Sequence, residues 1–505
     1  MSGPYILAVD GGSQSTKVSI FDTQGRVHAH ASVALQPLTH HPDGRVEHPG
    51  DDLWDSLINA CQSALSQFNG KPSDIVGIGL CTIRCCRAVL GKDGLLASPV
   101  MSWMDVRLGV PYQDTDDDIH YVTTSSGYIS HRLTGLFKDT ASNYEGQWPI
   151  DKLTWDWSDD EQVITEFHVP RSKLFQLVKP GDQLGLLTEE ASSVLGLTPN
   201  TPVIATANDK AVEALGAGLN TDDPDDSSCL ISLGTYIGGM RTISGMRSKS
   251  GMRSKSDVES NIDGVELQLD SEHFFCNMAS QPNGYLYESG GIRFGMSMVS
   301  WFRGLLNEGR TESEHLITDT QLNDEATQLP VGSEGLITVP EFLASTSKPY
   351  QRGCLIGLTA KHERAHVFRS ILESIAMTMV NHVNAMNESL SEPCSKVIVS
   401  GGGSKSDLLM QIFADLFNTN VVRPINSDAA GLGAAICASV ALGLHDSFAS
   451  AQEQMVRYGD VFQPNALHAH QYQRLNDVFK TATRHTDPLL SDLYRVTQSF
   501  NETKP

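Results

Sequence analysis

Residues 5–22 read Tyr5-Ile-Leu-Ala-Val-Asp10-Gly11-Gly12-Ser13-Gln14-Ser15-Thr16-Lys17-Val-Ser-Ile-Phe-Asp22. An apolar run delivers one carboxylate, Asp10, into a tight turn of small and hydroxyl residues, and a second apolar run leads straight back. The pattern predicts two strands joined by a glycine hairpin, with Asp10 at a strand end. Glycine lets the backbone approach a ligand closely, and a turn of unpaired N–H groups is an anion nest. An acid beside such a nest suits a Mg2+–nucleotide. The same residues also suit an ordinary hairpin with a polar tip, and this segment alone does not choose between the two.

Outward from the hairpin, short β-rich runs alternate with helical stretches, which predicts α/β layers. Ile75–Cys81, Ala88–Leu90, Pro202–Ala207, Cys229–Leu233 and Lys396–Ser400 read as buried strands. Helical patterns run over Asp51–Gln67, Ala211–Leu215, Ala365–Met386, Ser406–Phe417 and Gly431–Leu442. At 505 residues the chain exceeds one hydrophobic core, so at least two domains are expected. The polar, acidic, Pro-containing stretch Leu219–Ser228 precedes a new strand and marks the boundary, giving domains 1–224 and 225–505. Ser244-Gly-Met-Arg-Ser-Lys249 repeats in tandem as Ser250-Gly-Met-Arg-Ser-Lys255. That unit is too short for a solenoid and reads as an expanded exposed loop.

Apolar residues make up 40% and charged residues 19%, as in a soluble globular protein. With no membrane-length apolar stretch and no signal segment, a cytoplasmic protein is expected. Nine scattered cysteines read as reduced thiols. A formal net charge of −23 argues against nucleic acid or an anionic membrane as partner. A local nest can still hold an anionic nucleotide.

Further turns carry chemistry. In Pro202-Val-Ile-Ala-Thr-Ala-Asn208-Asp209-Lys210 a strand ends in polar residues where a small-residue helix begins, a common ligand position in open α/β sheets. Asp209 there suits either a base for a substrate hydroxyl or a helix N-cap. Ser232-Leu-Gly234-Thr235-Tyr236-Ile-Gly238-Gly239 reads as a second strand, glycine turn and strand. Val399-Ser400-Gly401-Gly402-Gly403-Ser404-Lys405 runs from a strand through three glycines into a helix, a geometry suited to phosphate or adenosine. Neither a Walker A pattern nor Gly-x-Gly-x-x-Gly opens any strand–helix pair. Each glycine turn is a weak signal alone, and their order is the stronger one.

In that order the chain resembles the FGGY family of carbohydrate kinases. The most specific match is Gly353-Cys-Leu-Ile-Gly357-Leu358, seven residues, then His366-Val-Phe-Arg-Ser370-Ile-Leu372-Glu373, which fits the family's C-terminal signature. The opening hairpin, Val46-Glu47-His48-Pro49, Ser102-Trp103-Met-Asp105-Val-Arg107, Asn208-Asp209, Gly234-Thr235 and Gly401–Gly403 fall in family order. The resemblance implies an α/β fold of two actin-like ATPase, ribonuclease-H-type domains, with ATP and a sugar or polyol in the cleft between them.

By that resemblance Asp10 holds Mg2+, while Gly12, Ser13, Thr16 and Lys17 form the first phosphate hairpin. Gly234 and Thr235 form the second, and Gly402 and Gly403 lie against the nucleotide. Asp209 is implied as catalytic base and substrate contact. Arg84, within Cys81-Thr82-Ile83-Arg84-Cys85-Cys86, matches a polyol-touching arginine of the family's glycerol kinases. Cys85 replaces the glutamate beside it, which argues against glycerol. Trp103 and Asp105 fall where the family sets an aromatic and an acid beside the sugar. The implied substrate is an open-chain ketose such as a pentulose, or a polyol, and the default assembly is a symmetric homodimer. Cys81, Cys85 and Cys86 make a poor zinc set, since the adjacent pair cannot readily share one tetrahedral centre. His28, His30, His40 and His41 read as a solvated loop.

The chain departs from the family between Arg107 and Leu133-Thr134-Gly135. Several tens of residues, with the N-terminal signature, are expected there, and Arg107 is followed only by Leu108–Asp118 before the pattern resumes at Tyr121. The catalytic and nucleotide elements lie outside this gap. Three readings follow: an active kinase, an ATP-binding regulator that has lost transfer, and an actin-like or chaperone ATPase. The third is disfavoured because no β-rich domain is appended after Gly443.

Overall fold

The computed structural model describes residues 3–110, 112, 116, 118–144, 148–221, 223, 226–242, 273–310, 315–344 and 348–502. The duplicated Ser244–Lys255 segment lies outside them. Six strands form one sheet: β1 (Tyr5–Gly11), β2 (Ser15–Asp22), β3 (Val27–Ala34), β4 (Ile75–Thr82), β5 (Gln183–Leu186) and β6 (Pro202–Ala205), in the order β5-β6-β4-β1-β2-β3. β1, β2 and β3 are an antiparallel meander, β4 runs parallel to β1 and β6 parallel to β4. Helices α1 (Asp52–Gln67) and α2 (Asp209–Ala217) follow from this half.

A seven-stranded sheet repeats the plan with β7 (Ser228–Leu233), β8 (Ile237–Arg241), β9 (Phe274–Met278), β10 (Tyr285–Ser289), β11 (Lys396–Ser400), β12 (Val421–Pro424) and β13 (Tyr458–Phe462), ordered β9-β10-β8-β7-β11-β12-β13. Here β7, β8 and β10 form the meander, and β11 and β12 continue the sheet in parallel. Its helices include α3 (Arg364–Leu390), α4 (Asp407–Phe417), α5 (Ala429–Ala441) and α6 (Ala466–Glu502). Leaving aside the added edge strands, both sheets run third, second, first, fourth, fifth. Each opens with a hairpin and closes with a helix, α2 in one and α5 in the other.

Strand alternation explains where the core sits. On β1, Leu7 and Val9 pack with Leu53, Leu57 and Ala60 of α1. Ile6 and Ala8 face the other way, into a cluster with Val212 and Leu215 of α2 and Leu432, Ala435 and Ile436 of α5. Leu230 of β7 and Ile398 of β11 join this cluster from the second sheet, so it is the core between the two sheets. Cys229, Ile231 and Leu233 face the opposite core, built on α3.

Helices α2 and α5 touch backbone to backbone. A Cβ added at Gly216 would lie 1.9 Å from the Ala429 carbonyl oxygen, and one at Gly433 would lie 2.0 Å from that of Val212. Small residues at this crossing are therefore a steric requirement.

The expected buried strand at Ala88–Leu90 is present as Arg87–Leu90 and pairs with Tyr121–Thr124 in a ribbon outside the main sheet. His28 and His30 stand on β3 and not in a loop, bonded to Asp22 (2.9 Å) and Ser19 (2.9 Å). The signature residue Glu373 of α3 is a buried clamp. Its carboxylate accepts hydrogen bonds from Gly332 N (2.9 Å), Ser333 Oγ (3.0 Å), Arg369 Nε (2.9 Å) and Tyr472 OH of α6 (2.9 Å). All nine cysteines are free thiols. Among the described residues no helix is long and apolar enough to cross a membrane.

Candidate active site

The β1–β2 register sets Asp10 directly opposite Lys17, and cross-strand neighbours this close interact. Lys17 Nζ donates to Asp10 Oδ2 at 2.7 Å. Asp10 shares its face of β1 with Ile6 and Ala8, so it points toward the space between the sheets. Burial pushes its carboxyl pKa up. Lys17 opposes this only in part, and the nearby carboxylates of Asp428 and Asp209 add to the rise. Lys17 is raised too: burial works against its charge, but Asp10 outweighs it. Gly12 N donates to Ser15 O (3.1 Å), which tightens the turn. Thr16 departs from the expectation for a phosphate hydroxyl, because it is buried and its Oγ1 bonds Ser56 Oγ at 2.7 Å on α1.

Asp209 is the first residue of α2, and the cap is Asn208, whose side chain accepts from Ala211 N at 3.1 Å. The capping alternative for Asp209 is thereby filled by its neighbour. Asp209 Oδ1 is buried without a hydrogen-bond partner, an arrangement that costs free energy unless a donor arrives. Lys210, and Glu213 one turn further on, tie α2 to the second sheet. Lys210 Nζ bonds Ser232 Oγ (2.8 Å) and Glu213 (3.1 Å), and Glu213 accepts from Ser232 (2.7 Å) and Ser400 (2.6 Å). Burial opposes the charge on both, yet their mutual attraction leaves Lys210 raised and Glu213 lowered.

Arg84 follows β4 and reaches across to β10. Its two terminal nitrogens bond Glu288 at 2.8 and 2.6 Å, and its Nε lies 3.9 Å from Asp209 Oδ1. Two of its five N–H groups are used on Glu288, so donors remain for a ligand. Cys85 is exposed and sits at φ 61°, whereas Cys81 and Cys86 are buried.

The second hairpin, Gly234–Tyr236, occupies in the second sheet the place of Gly12–Gln14 in the first. Thr235 is exposed. Gly401 follows β11 at φ 83°, and a Cβ there would lie 2.6 Å from the Leu233 carbonyl oxygen, so only glycine fits beside the second hairpin. Gly403 is buried against Leu233 and Met296, while Gly402 is exposed with open space before it.

The two expected sugar contacts differ in how free they are. Trp103 is partly exposed. Asp105 is buried, and its oxygens accept from Val46 N (2.8 Å), Arg107 N (2.9 Å), Arg107 Nε (2.9 Å) and Arg107 Nη2 (2.7 Å). A carboxylate has about four acceptor positions, so Asp105 is spent on its own loop.

Residues that sequence reasoning omits also converge here. Glu288 is buried on β10 and also accepts from Asn277 Nδ2 (3.1 Å), whose Oδ1 accepts from Asn208 Nδ2 (3.1 Å). Asp428 caps α5 through Gly431 N (3.1 Å) and accepts from Ser19 Oγ of β2 at 2.6 Å. A carboxylate inside the apolar run Tyr285-Leu-Tyr-Glu288-Ser289 is the signal that marks Glu288 in the sequence. Among the described residues no group of three or more His, Cys, Asp or Glu could by itself hold a metal ion. A cation carried on phosphates beside Asp10 would relieve the excess of acids over Lys17.

Comparison with known proteins identifies the family and the fold. The N-terminal domain model of the FGGY family of carbohydrate kinases matches residues 5–110 and 110–216, and the C-terminal domain model matches residues 250–442. The N-terminal match is split at residue 110, within the stretch where the sequence departs from the family pattern. The uncharacterized sugar kinase YgcE of Escherichia coli (strain K12) is 44% identical over 501 residues, covering 98% of this chain and 96% of its own. Among solved structures, gluconate kinase from Lactobacillus acidophilus superposes with a TM-score of 0.79 at 21% identity, covering 97% and 99% of the two chains. Ligand-bound xylulose kinase from the same organism gives 0.78 at 20%, covering 97% and 100%. At such identities these structures speak for the fold, two actin-like ATPase domains. The chain belongs to the FGGY family of carbohydrate kinases and is an ATP-dependent sugar kinase.

Proposed function

We propose that the enzyme transfers the γ-phosphate of ATP to a hydroxyl of a small open-chain ketose, such as a pentulose, or of a polyol, with Asp209 as general base. The observation that carries this reading is Asp209 Oδ1, a buried acceptor without a donor, on a helix already capped by Asn208. A substrate hydroxyl supplies the missing donor, is oriented by it, and yields its proton there as the oxygen attacks phosphorus. The turns at Gly12–Ser13, where the Gly12 N–H is already used on Ser15 O, and at Gly234–Thr235 are the segments that face the phosphates, and Gly402 leaves room for the nucleotide beside them. Lys17 supplies a cation next to the transferring group. A Mg2+ ion carried by the phosphates and anchored at Asp10 would supply further charge for the leaving group. Arg84 keeps donors for substrate hydroxyls, and Cys85 in place of a glutamate supports a substrate other than glycerol.

The test is an ADP-release assay over pentuloses, hexuloses and polyols, run on wild type and Asp209→Asn together. At least one sugar should stimulate release by the wild type. The variant should bind ATP normally and turn over about 10²- to 10⁴-fold more slowly. ATP binding without sugar-stimulated release from the wild type refutes the proposal and favours a regulator that has lost transfer.

A further inference from the structure

Arg84 stands between two carboxylates and bonds only one of them, through its two terminal nitrogens. Its terminal nitrogens meet Glu288 at 2.8 and 2.6 Å, a bidentate pair of the strong kind. Asp209 receives only the Nε edge, at 3.9 Å, so no hydrogen bond forms and Oδ1 stays open. Glu288 has little freedom itself: it is 1% exposed and accepts from Asn277, which is held by Asn208, the cap of the helix that Asp209 begins. The Phe275 ring lies 5.9 Å from the guanidinium. The chain Glu288–Asn277–Asn208 therefore fixes the base's helix and the arginine from one anchor, and the Arg84–Glu288 pair joins the two sheets.

We propose that Glu288 is a positioning residue for phosphoryl transfer, which keeps Arg84 off the base so that Asp209 Oδ1 remains available to the substrate hydroxyl. This rests on the assignment of Asp209 as base. Without the Glu288 charge the nearest carboxylate to Arg84 is Asp209, and a shift of about 1 Å brings Nε into hydrogen-bond range of Oδ1. The arginine then occupies the acceptor that the hydroxyl needs. The nucleotide turns are untouched by that shift, so the defect belongs to turnover and not to ATP binding.

The experiment compares Glu288→Gln, Arg84→Gln, the double variant and Asp209→Asn, using the fastest sugar from the ADP-release panel. Glu288→Gln should lower kcat about 10- to 100-fold and leave KM for ATP within about twofold. The double variant should turn over as Arg84→Gln does, because no arginine is left to restrain. Wild-type kcat in Glu288→Gln overturns the proposal, as does a double variant whose loss is the product of the single losses. If Glu288→Gln does not fold, the double variant decides alone: removing both partners leaves no unpaired buried charge. Turnover equal to Arg84→Gln upholds the proposal, and a further loss of about fivefold or more refutes it. An active Asp209→Asn, or a panel without any turnover, sinks the base assignment and this proposal with it. An inactive Asp209→Asn beside a wild-type Glu288→Gln sinks only the role of Glu288.

Discussion

Replacing Gly216 by alanine adds one methyl group at the crossing of α2 and α5. The new Cβ would lie 1.9 Å from Ala429 O, 2.5 Å from Gly433 N and 2.9 Å from Ala429 C. All three are backbone atoms, so no side chain can rotate away. Real Cβ contacts essentially never fall below 3.0 Å, and α5 must withdraw by at least about 1 Å. A gap of that size forfeits roughly a quarter to a half of the dispersion energy along the contact. It also loosens α5 from the first sheet, where Gly79 meets Ala434. The expected cost is about 3 kcal/mol, the upper part of the range for overpacked cores. Asp209 begins α2 and Asp428 caps α5, so the displacement reaches both acids. A misplacement of about 1 Å lowers turnover by roughly 100-fold. Urea unfolding reads the stability and ADP release reads the turnover. Gly304→Ala is the matched control: this exposed glycine of the helix Ser297–Asn307 has nothing within 4 Å, and the same methyl should stabilise by about 0.5–1 kcal/mol. A Gly216→Ala protein within about 0.5 kcal/mol of wild type and fully active would refute the reasoning.

Other substitutions separate structure from chemistry. Asp10→Asn should weaken Mg·ATP-dependent turnover about 100-fold with little change in melting temperature; unchanged dependence of rate on Mg2+ concentration would remove Asp10 from the metal. Glu373→Gln strips the counter-charge from buried Arg369 and should cost about 3–5 kcal/mol. Thermal unfolding reports that loss, and the folded fraction should keep its KM for ATP. His48 is buried with neither ring nitrogen hydrogen-bonded, and burial holds its pKa below the usual 6.5. A depressed base is neutral in both folded and unfolded chains above pH 6.5, so its contribution is intact there. Below that value the unfolded chain takes up the proton first and stability falls. His48→Leu should flatten the acid side of a plot of melting temperature against pH, and an unaltered slope between pH 6.5 and 5 would contradict the burial argument.

The parts of the site legible in the sequence are those written in consecutive residues. Asp10 and its turn, the Asp209 strand end and the three glycines after Ser400 each combine strand, break and polar tip within about ten residues, and local geometry follows from local pattern. Whether Asp209 caps or reacts is not legible, because Asn208 and Asp209 are both good caps and only the backbone places Asn208 first. Glu288 is legible as an anomaly, a charge in an apolar strand, but its partner Arg84 lies 204 positions away. Thr16 and Asp105 carry suitable chemistry at suitable places, yet α1 and Arg107 claim their polar atoms. The C-terminal helix goes unread because its sequence is polar and contains Pro488.

The apolar cluster between the sheets has a consequence for how the chain can be divided. Helix α5 comes from the second half but packs on strands of the first, and α2 from the first half bonds Ser232 and Ser400 of the second. Neither half carries its own lining. Cut at the acidic Leu219–Ser228 segment, each fragment would present Ile, Leu, Val and Ala faces to water, and neither would be an autonomous folding unit. Co-expressed, the fragments would find their missing lining in each other. Such a split enzyme would report the meeting of its two pieces through recovered sugar phosphorylation.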